Sequence, residues 1–141
     1  MSEAQRRVGE HMSDLHIFDI ATREWRLVPR RGEWPESRYY HTAFVHDGSL
    51  VVAGGCGNER DLDSVWEYDT EGETWTRLRD LPYPMRLVRG VSVAGVPHIF
   101  SIYRSDTARY TVDHFSAPHI GSDLTHSPWV KETPTPFKGY L

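Results

Sequence analysis

The sequence predicts an all-β protein of about two to two and a half four-stranded antiparallel units. Three observations carry this reading: a pair of segments that match at one fixed offset, short β-rich runs broken by turn signals, and aromatic content of 12% in a polar chain. The first matching segment is Asp14-Leu15-His16-Ile17-Phe18-Asp19, with Trp25 six residues after its closing Asp. The second is Ser64-Val65-Trp66-Glu67-Tyr68-Asp69, with Trp75 six residues after. Both Asp and both Trp stand 50 residues apart. Several matches at one offset define an internal repeat.

The unit between the matches reads as four strands. His41 to Val45 is β-rich and ends at Asp47-Gly48, a strong hairpin signal. Leu50 to Ala53 follows as a continuous apolar strand, the pattern of burial on both faces. It stops at Gly54-Gly55, where missing side chains permit unusual dihedrals or close backbone approach. A polar loop, 57–61, leads into the third strand, Val65 to Tyr68, and the turn Asp69 to Gly72 into the fourth, Trp75 to Leu78. Pro82 and Pro84 close the unit. Four antiparallel strands in about 50 residues make one propeller blade.

The order of double glycine, aromatic-Asp and a later Trp resembles the kelch repeat. The residues that carry the resemblance are Arg38, His41, Gly54, Gly55, Tyr68, Asp69 and Trp75, with Phe18, Asp19 and Trp25 from the preceding unit. It covers residues 14–82 clearly. It implies a partial kelch-type β-propeller: a lead-in over 1–13, a half blade over 14–35 (third and fourth strands), a complete repeat over 36–82, and a degenerate repeat with an irregular insertion and tail over 83–141. In the degenerate unit, Arg86 to Val93 lies over the stretch from Arg38, Gly95-Val96-Pro97 replaces the hairpin turn, and His98 to Ile102 forms the second strand. Ile102 and Tyr103 stand where the double glycine would be, and Ser116 to Pro128 reads as an insertion or irregular loop. At about 50 residues per blade, even four blades need roughly 200 residues. The chain is therefore expected to be a fragment, or to complete a ring with further copies.

Charge and composition narrow the function classes. Sixteen Lys and Arg against 20 Asp and Glu give a net charge of −4, without the basic face that nucleic-acid binding needs. No apolar run approaches a membrane span, and the N-terminus lacks an apolar signal core. The single cysteine, Cys56, excludes an internal disulfide and a Cys-based zinc cluster. A cytoplasmic location is the expectation.

No cofactor, metal or catalytic site assembles from the motifs. His114, His119 and His126 cluster beside Asp113, but five-residue spacing on a strand points side chains to opposite faces. His41 is expected to make a structural hydrogen bond. Cys56 lacks a neighbouring base and reads as a small buried apolar residue. The Gly54 to Gly57 stretch is followed by no Lys-Ser/Thr and so is no phosphate loop. Asp69 and Glu71 fit a capped turn, and Trp25 and Trp75 fit packing between blades.

The resemblance instead implies a binding surface built from the loops joining fourth to first and second to third strands. These are Pro35 to Tyr40, Cys56 to Leu62, Tyr83 to Arg89 and Tyr103 to Arg109. They offer Tyr39, Arg60, Tyr83, Arg86, Arg89, Arg104 and Arg109 to a protein partner, Tyr and Arg being frequent interface anchors. The leading expectation is a non-catalytic protein-interaction scaffold or a fragment of one. The alternatives are a fragment of a galactose oxidase-like propeller enzyme and a truncated product with no function of its own.

Overall fold

A computed structural model describes residues 12–118 and 129–132. Among these residues, ten strands fall into three antiparallel sheets. The first is the pair β1 (His16–Asp19) and β2 (Glu24–Leu27). The second joins β3 (Thr42–His46), β4 (Ser49–Ala53), β5 (Val65–Asp69) and β6 (Thr74–Arg77) in sequence order. The third joins β7 (Leu87–Val93), β8 (Val96–Arg104), β9 (Tyr110–Ser116) and β10 (Val130–Lys131), again in sequence order. These are one half blade and two four-stranded blades of a partial β-propeller. The third repeat, degenerate in sequence, thus folds as a blade.

Turn chemistry sets the strand ends. Asp47-Gly48 and Ala94-Gly95 both have positive φ at two successive residues, the geometry of a two-residue hairpin whose twist suits the flanking strands. The second of these corrects the reading from sequence. Its turn lies at Ala94-Gly95 rather than 95–97, and β8 runs from Val96 to Arg104, longer than His98 to Ile102. At the outer hairpins, the Asp19 carboxylate accepts from the backbone N–H of Ala21 and Thr22, and the Asp69 carboxylate accepts from that of Glu71. Arg23 and Glu73, at equivalent positions, both take positive φ. The repeated Asp is therefore a turn cap, and those bonds hold the Asp19 carboxyl below its usual range.

Each four-stranded sheet presents two faces, and each face of the central sheet has its own core. On one face Val52, Trp66, Tyr68 and Trp75 pack with Val28, Leu15, Ile17 and Trp34 from the half blade and its connection. Across this junction Arg26 pairs with Glu73. On the other face Phe44, Val51, Ala53 and Val65 pack with Val88, Ile99 and Phe115 of the third sheet. The inner strands β3 and β7 meet so closely that a Cβ on Gly90 would stand 2.7 Å from the Phe44 ring. Gly90 N–H donates to Thr42 Oγ1 at 2.8 Å, and His46 Nδ1 lies 3.0 Å from Ser92 Oγ.

The two repeated tryptophans part company here. Trp75 is 9% exposed in its core, whereas Trp25 is 69% exposed and touches the Phe18 ring at 4.9 Å. Packing between blades was expected for both. It holds for Trp75 alone, because the half blade covers Trp75 and no described sheet lies against Trp25. Among the described histidines His46 is buried, whereas His41 is exposed.

Two predictions follow from this packing. Gly55 has φ +92°, and a Cβ there would meet Tyr39 O at 2.5 Å and His41 N at 2.7 Å. Backbone atoms cannot swing aside, so Gly55→Ala should cost on the order of 3 kcal/mol. Gly48→Ala, with positive φ but nothing within 4 Å, should cost about 1 kcal/mol; urea denaturation of both variants checks the contrast. On the outer face of the third sheet, His114 Nε2 lies 2.9 Å from His98 Nδ1, and His114 stacks on Phe100 at 4.4 Å. Burial, with His98 beside it, holds His114 below the ordinary 6.5. The unfolded chain takes up a proton there that the folded chain resists, so stability should fall as pH drops below about 6.5. Denaturation midpoints across that range should show a shallower fall in His114→Gln.

Candidate functional site

Three loops converge at one edge of the sheets, joined by a backbone network. The double glycine starts it. Gly54 N–H donates to Ser64 O at 3.1 Å and Gly55 N–H to Met85 O at 2.8 Å. Tyr39 and Cys56 exchange two backbone bonds, 3.0 and 2.7 Å long. Leu62 N–H donates to Gly55 O at 2.8 Å, and Met85 N–H to Leu62 O at 3.0 Å. The segments 35–40, 54–64 and 78–86 are thus one surface rather than three separate loops.

Arg38 sits beneath that surface, only 8% exposed. Its Nη1 donates to Gly54 O at 3.2 Å and Ser64 O at 3.4 Å, its Nη2 to Ser64 Oγ at 3.0 Å, and its Nε to Glu36 O at 3.2 Å. Burial pulls the guanidinium below its usual pKa, and the planar fork satisfies oxygens on two loops at once. This motif arginine is a structural tie.

Above it lies a cluster of polar side chains. Asp61 Oδ1 stands 3.3 Å from Arg86 Nε and accepts from the Cys56 thiol at 3.4 Å. Arg60 Nη2 reaches Glu36 Oε1 at 3.4 Å. Hydrogen bonding with the Cys56 thiol raises the Tyr39 hydroxyl above its usual pKa, while Asp61 raises Arg86. Cys56 itself is buried, and desolvation pushes its thiol upward. Beside Tyr39 lies Tyr40, 55% exposed, with its ring 4.8 Å away.

The structure brings together only part of the set expected from sequence. Tyr39, Arg60 and Arg86 share the cluster. Tyr83 lies in the core between the second and third sheets, where its hydroxyl donates to Asp113 Oδ2 at 2.7 Å. Burial first, and Asp113 with it, leave that hydroxyl pushed up to about 12. Arg89 is no loop residue: it lies within β7 opposite Phe100 and donates to Val88 O at 2.7 Å. Arg104 ends β8 opposite Tyr110, and Arg109 flanks the β8–β9 turn, where its carbonyl accepts from Ser105 N–H at 2.8 Å. The sequence missed Tyr40, Glu36 and Asp61. Tyr40 takes a positive φ of 58° and is exposed, and no glycine or turn pair in the local sequence marks it.

Among the described residues no three His, Cys, Asp or Glu side chains are gathered as metal ligands. His119 and His126 lie outside the described residues. No described helix is long and apolar enough to cross a membrane.

Comparison with known proteins agrees with this architecture. Residues 4–116 match the KLHDC2/KLHL20/DRC7 Kelch-repeats domain. An F-box/kelch-repeat protein of Arabidopsis thaliana is 32% identical over 92 residues, 62% of this chain and 24% of that protein. Kelch domain-containing protein 3 of Rattus norvegicus is 29% identical over 66 residues, 45% of this chain and 17% of that one. The N-(sulfonatooxy)prop-2-enimidothioate sulfolyase of Thlaspi arvense is 34% identical over 70 residues, 49% of this chain and 20% of the enzyme. The chain thus spans less than a quarter of the length of these curated relatives.

The Cys56 environment yields a direct prediction. A buried thiol with a raised pKa and a carboxylate as its neighbour is a poor nucleophile. Iodoacetamide at neutral pH should modify Cys56 at least about tenfold more slowly than free cysteine. In concentrated urea the rate should rise to that of the free amino acid, as followed by intact mass.

Proposed function

This chain belongs to the kelch-repeat family, and from that premise we propose that it serves as a non-catalytic protein-interaction module. The observation that carries the proposal is the knitted edge of three loops bearing Tyr39, Tyr40, Arg60 and Arg86. A surface fixed by backbone bonds loses little entropy on binding, which favours affinity per unit area. Tyr rings and Arg guanidinium groups supply broad contact with directed hydrogen bonds. Glu36 and Asp61 are already within 3.4 Å of Arg60 and Arg86, so the surface is mixed in charge. It suits a partner with both acidic and basic groups rather than a polyanion.

The non-catalytic reading draws support from what the polar groups already do. The Arg38 donors are engaged by loop oxygens, and the Cys56 thiol is held protonated. The partner is a protein, and the setting proposed for it is the cytoplasm.

Capture from a cell extract by the intact chain tests this reading when the loop variants Tyr40→Ala and Arg86→Glu are run beside it. A discrete set of proteins should be retained by the wild type and lost by both variants. Arg23→Glu, at the distant β1–β2 turn, should retain the same set. Equal retention by all four chains would overturn the proposal.

A further inference from the structure

The junction between the second and third sheets holds a group of side chains that the loop surface does not use. β3 and β7 lie side by side there, with Gly90 N–H donating to Thr42 Oγ1 at 2.8 Å and the Phe44 ring against Gly90. Two residues further along each strand, at the end of β3 away from Tyr40, His46 Nδ1 stands 3.0 Å from Ser92 Oγ. The other ring nitrogen, Nε2, is 3.6 Å from Asp47 Oδ2 and has no hydrogen-bond partner among the described residues. The imidazole is fully buried, Ser92 is half-buried, and the Asp47 carboxylate is open to solvent.

This arrangement sets the direction in which a proton can move. A neutral imidazole carries one N–H, and its other nitrogen accepts. With a carboxylate as the neighbour of Nε2, the proton belongs on Nε2, and Nδ1 accepts from the Ser92 hydroxyl. A second proton arriving at Nδ1 makes an imidazolium whose charge faces Asp47. A hydroxyl, a base and an orienting carboxylate in that order are the parts of an activated nucleophile.

The backbone adds a donor. Gly90 N–H bonds toward β3 rather than β8, and bonding direction alternates along a strand, so the Ser92 N–H points to the same side. The facing residue on β8 agrees. Ser92 pairs with Pro97, which has no N–H and whose carbonyl accepts from Ala117 N–H at 3.1 Å on the β9 side. The Ser92 N–H is thus aimed clear of β8, where it can bond an oxygen that turns negative as the hydroxyl attacks.

We infer that Ser92 is an acyl-acceptor site, which takes one short acyl group from a thioester. Ser92 Oγ attacks the thioester carbonyl carbon, its proton passes to His46 Nδ1, and the Ser92 N–H bonds the oxyanion. Collapse breaks the C–S bond, and the sulfur leaves with the proton from the imidazolium. An oxygen ester replaces the thioester, with no change of oxidation state. A thiolate leaves far more readily than an amine, which suits a base held 3.6 Å from its carboxylate rather than in a tight pair. Half-burial of Ser92 between two strands restricts the acyl group to a short one. The reaction stops at the acyl-serine, because hydrolysis needs a water at Nδ1, and the new acyl group covers the approach to a fully buried ring. One transfer to the chain itself is a modification rather than turnover. The site lies at the other end of β3 from Tyr40, so it goes beyond the interaction reading, and neither depends on the other.

The probe is a small acetyl thioester, acetyl-N-acetylcysteamine, incubated with the intact chain and followed by intact mass and peptide mapping. Ser92 should gain one acetyl group at least about a hundredfold faster than a blocked free serine, the lower end of what general-base assistance supplies. One equivalent of thiol should be released and no more. Ser92→Ala should abolish the reaction. Asp47 acts by positioning His46, and Asp47→Asn should slow acylation about tenfold while keeping the fold, because asparagine tolerates the φ of 46° that Asp47 holds. Asp47→Glu restores the carboxylate and should react faster than Asp47→Asn; glutamate already takes a positive φ at Glu73. Urea midpoints close to the wild type for both Asp47 variants separate this positioning role from a structural one. Absence of acetyl from Ser92, equal rates in Asp47→Asn and the wild type, or thiol release continuing past one equivalent would sink the inference.

Discussion

The close approach of the Gly55 backbone to Tyr39 and His41 is the contact on which the rest of the described architecture depends. A side chain at Gly55 would stand 2.5 Å from Tyr39 O, so the segment entering β3 and the segment leaving β4 can touch only through a glycine. That touch admits the paired bonds between Tyr39 and Cys56. It also lets Gly55 N–H reach Met85 O, which draws the connection to the third sheet into the same network. Arg38 then fills the space beneath with four hydrogen bonds to main-chain and hydroxyl oxygens. A buried guanidinium is tolerated because nearly all its donors find acceptors.

The sheets themselves obey a simpler rule. The central sheet presents one face to the sheet before it and the other to the sheet after it, and apolar residues occupy both. The central sheet is covered on both sides, which is why β4 reads as a continuous apolar run. Among the described residues the half blade is covered on one face only, which leaves Phe18, Trp25 and Leu27 exposed. Among the described residues the third sheet is covered by another sheet on one face too, and on the other His98, Phe100 and His114 stack among themselves. The same residue types are thus buried or exposed according to whether a neighbouring sheet is present.

Much of the fold was legible because its determinants are local. The two-residue hairpin at Asp47-Gly48, the aspartate caps and the 50-residue offset depend on neighbours in sequence. The third blade was harder to read because its signals are replaced rather than lost. Ala94-Gly95 makes the hairpin that Asp-Gly makes elsewhere, and β8 runs on through Ile102 and Tyr103 where a double glycine was sought. Its burial pattern keeps the alternation that a covered strand needs, and that suffices for a sheet.

The binding surface divides along the same line. Local sequence determined the strands, the tight turns and the double glycine that only a Cβ-free backbone can fill. Which side chains share a surface was decided by tertiary contact. Tyr39, Arg60 and Arg86 meet because bonds between distant loops bring them together, while Tyr83 turns into the core toward Asp113 and Arg89 is held within a strand. A loop residue's direction follows from its backbone dihedrals, as at Tyr40 with its positive φ. Turn and strand preferences act over a few residues and can be read in order, but a surface is assembled from segments that the sequence holds apart.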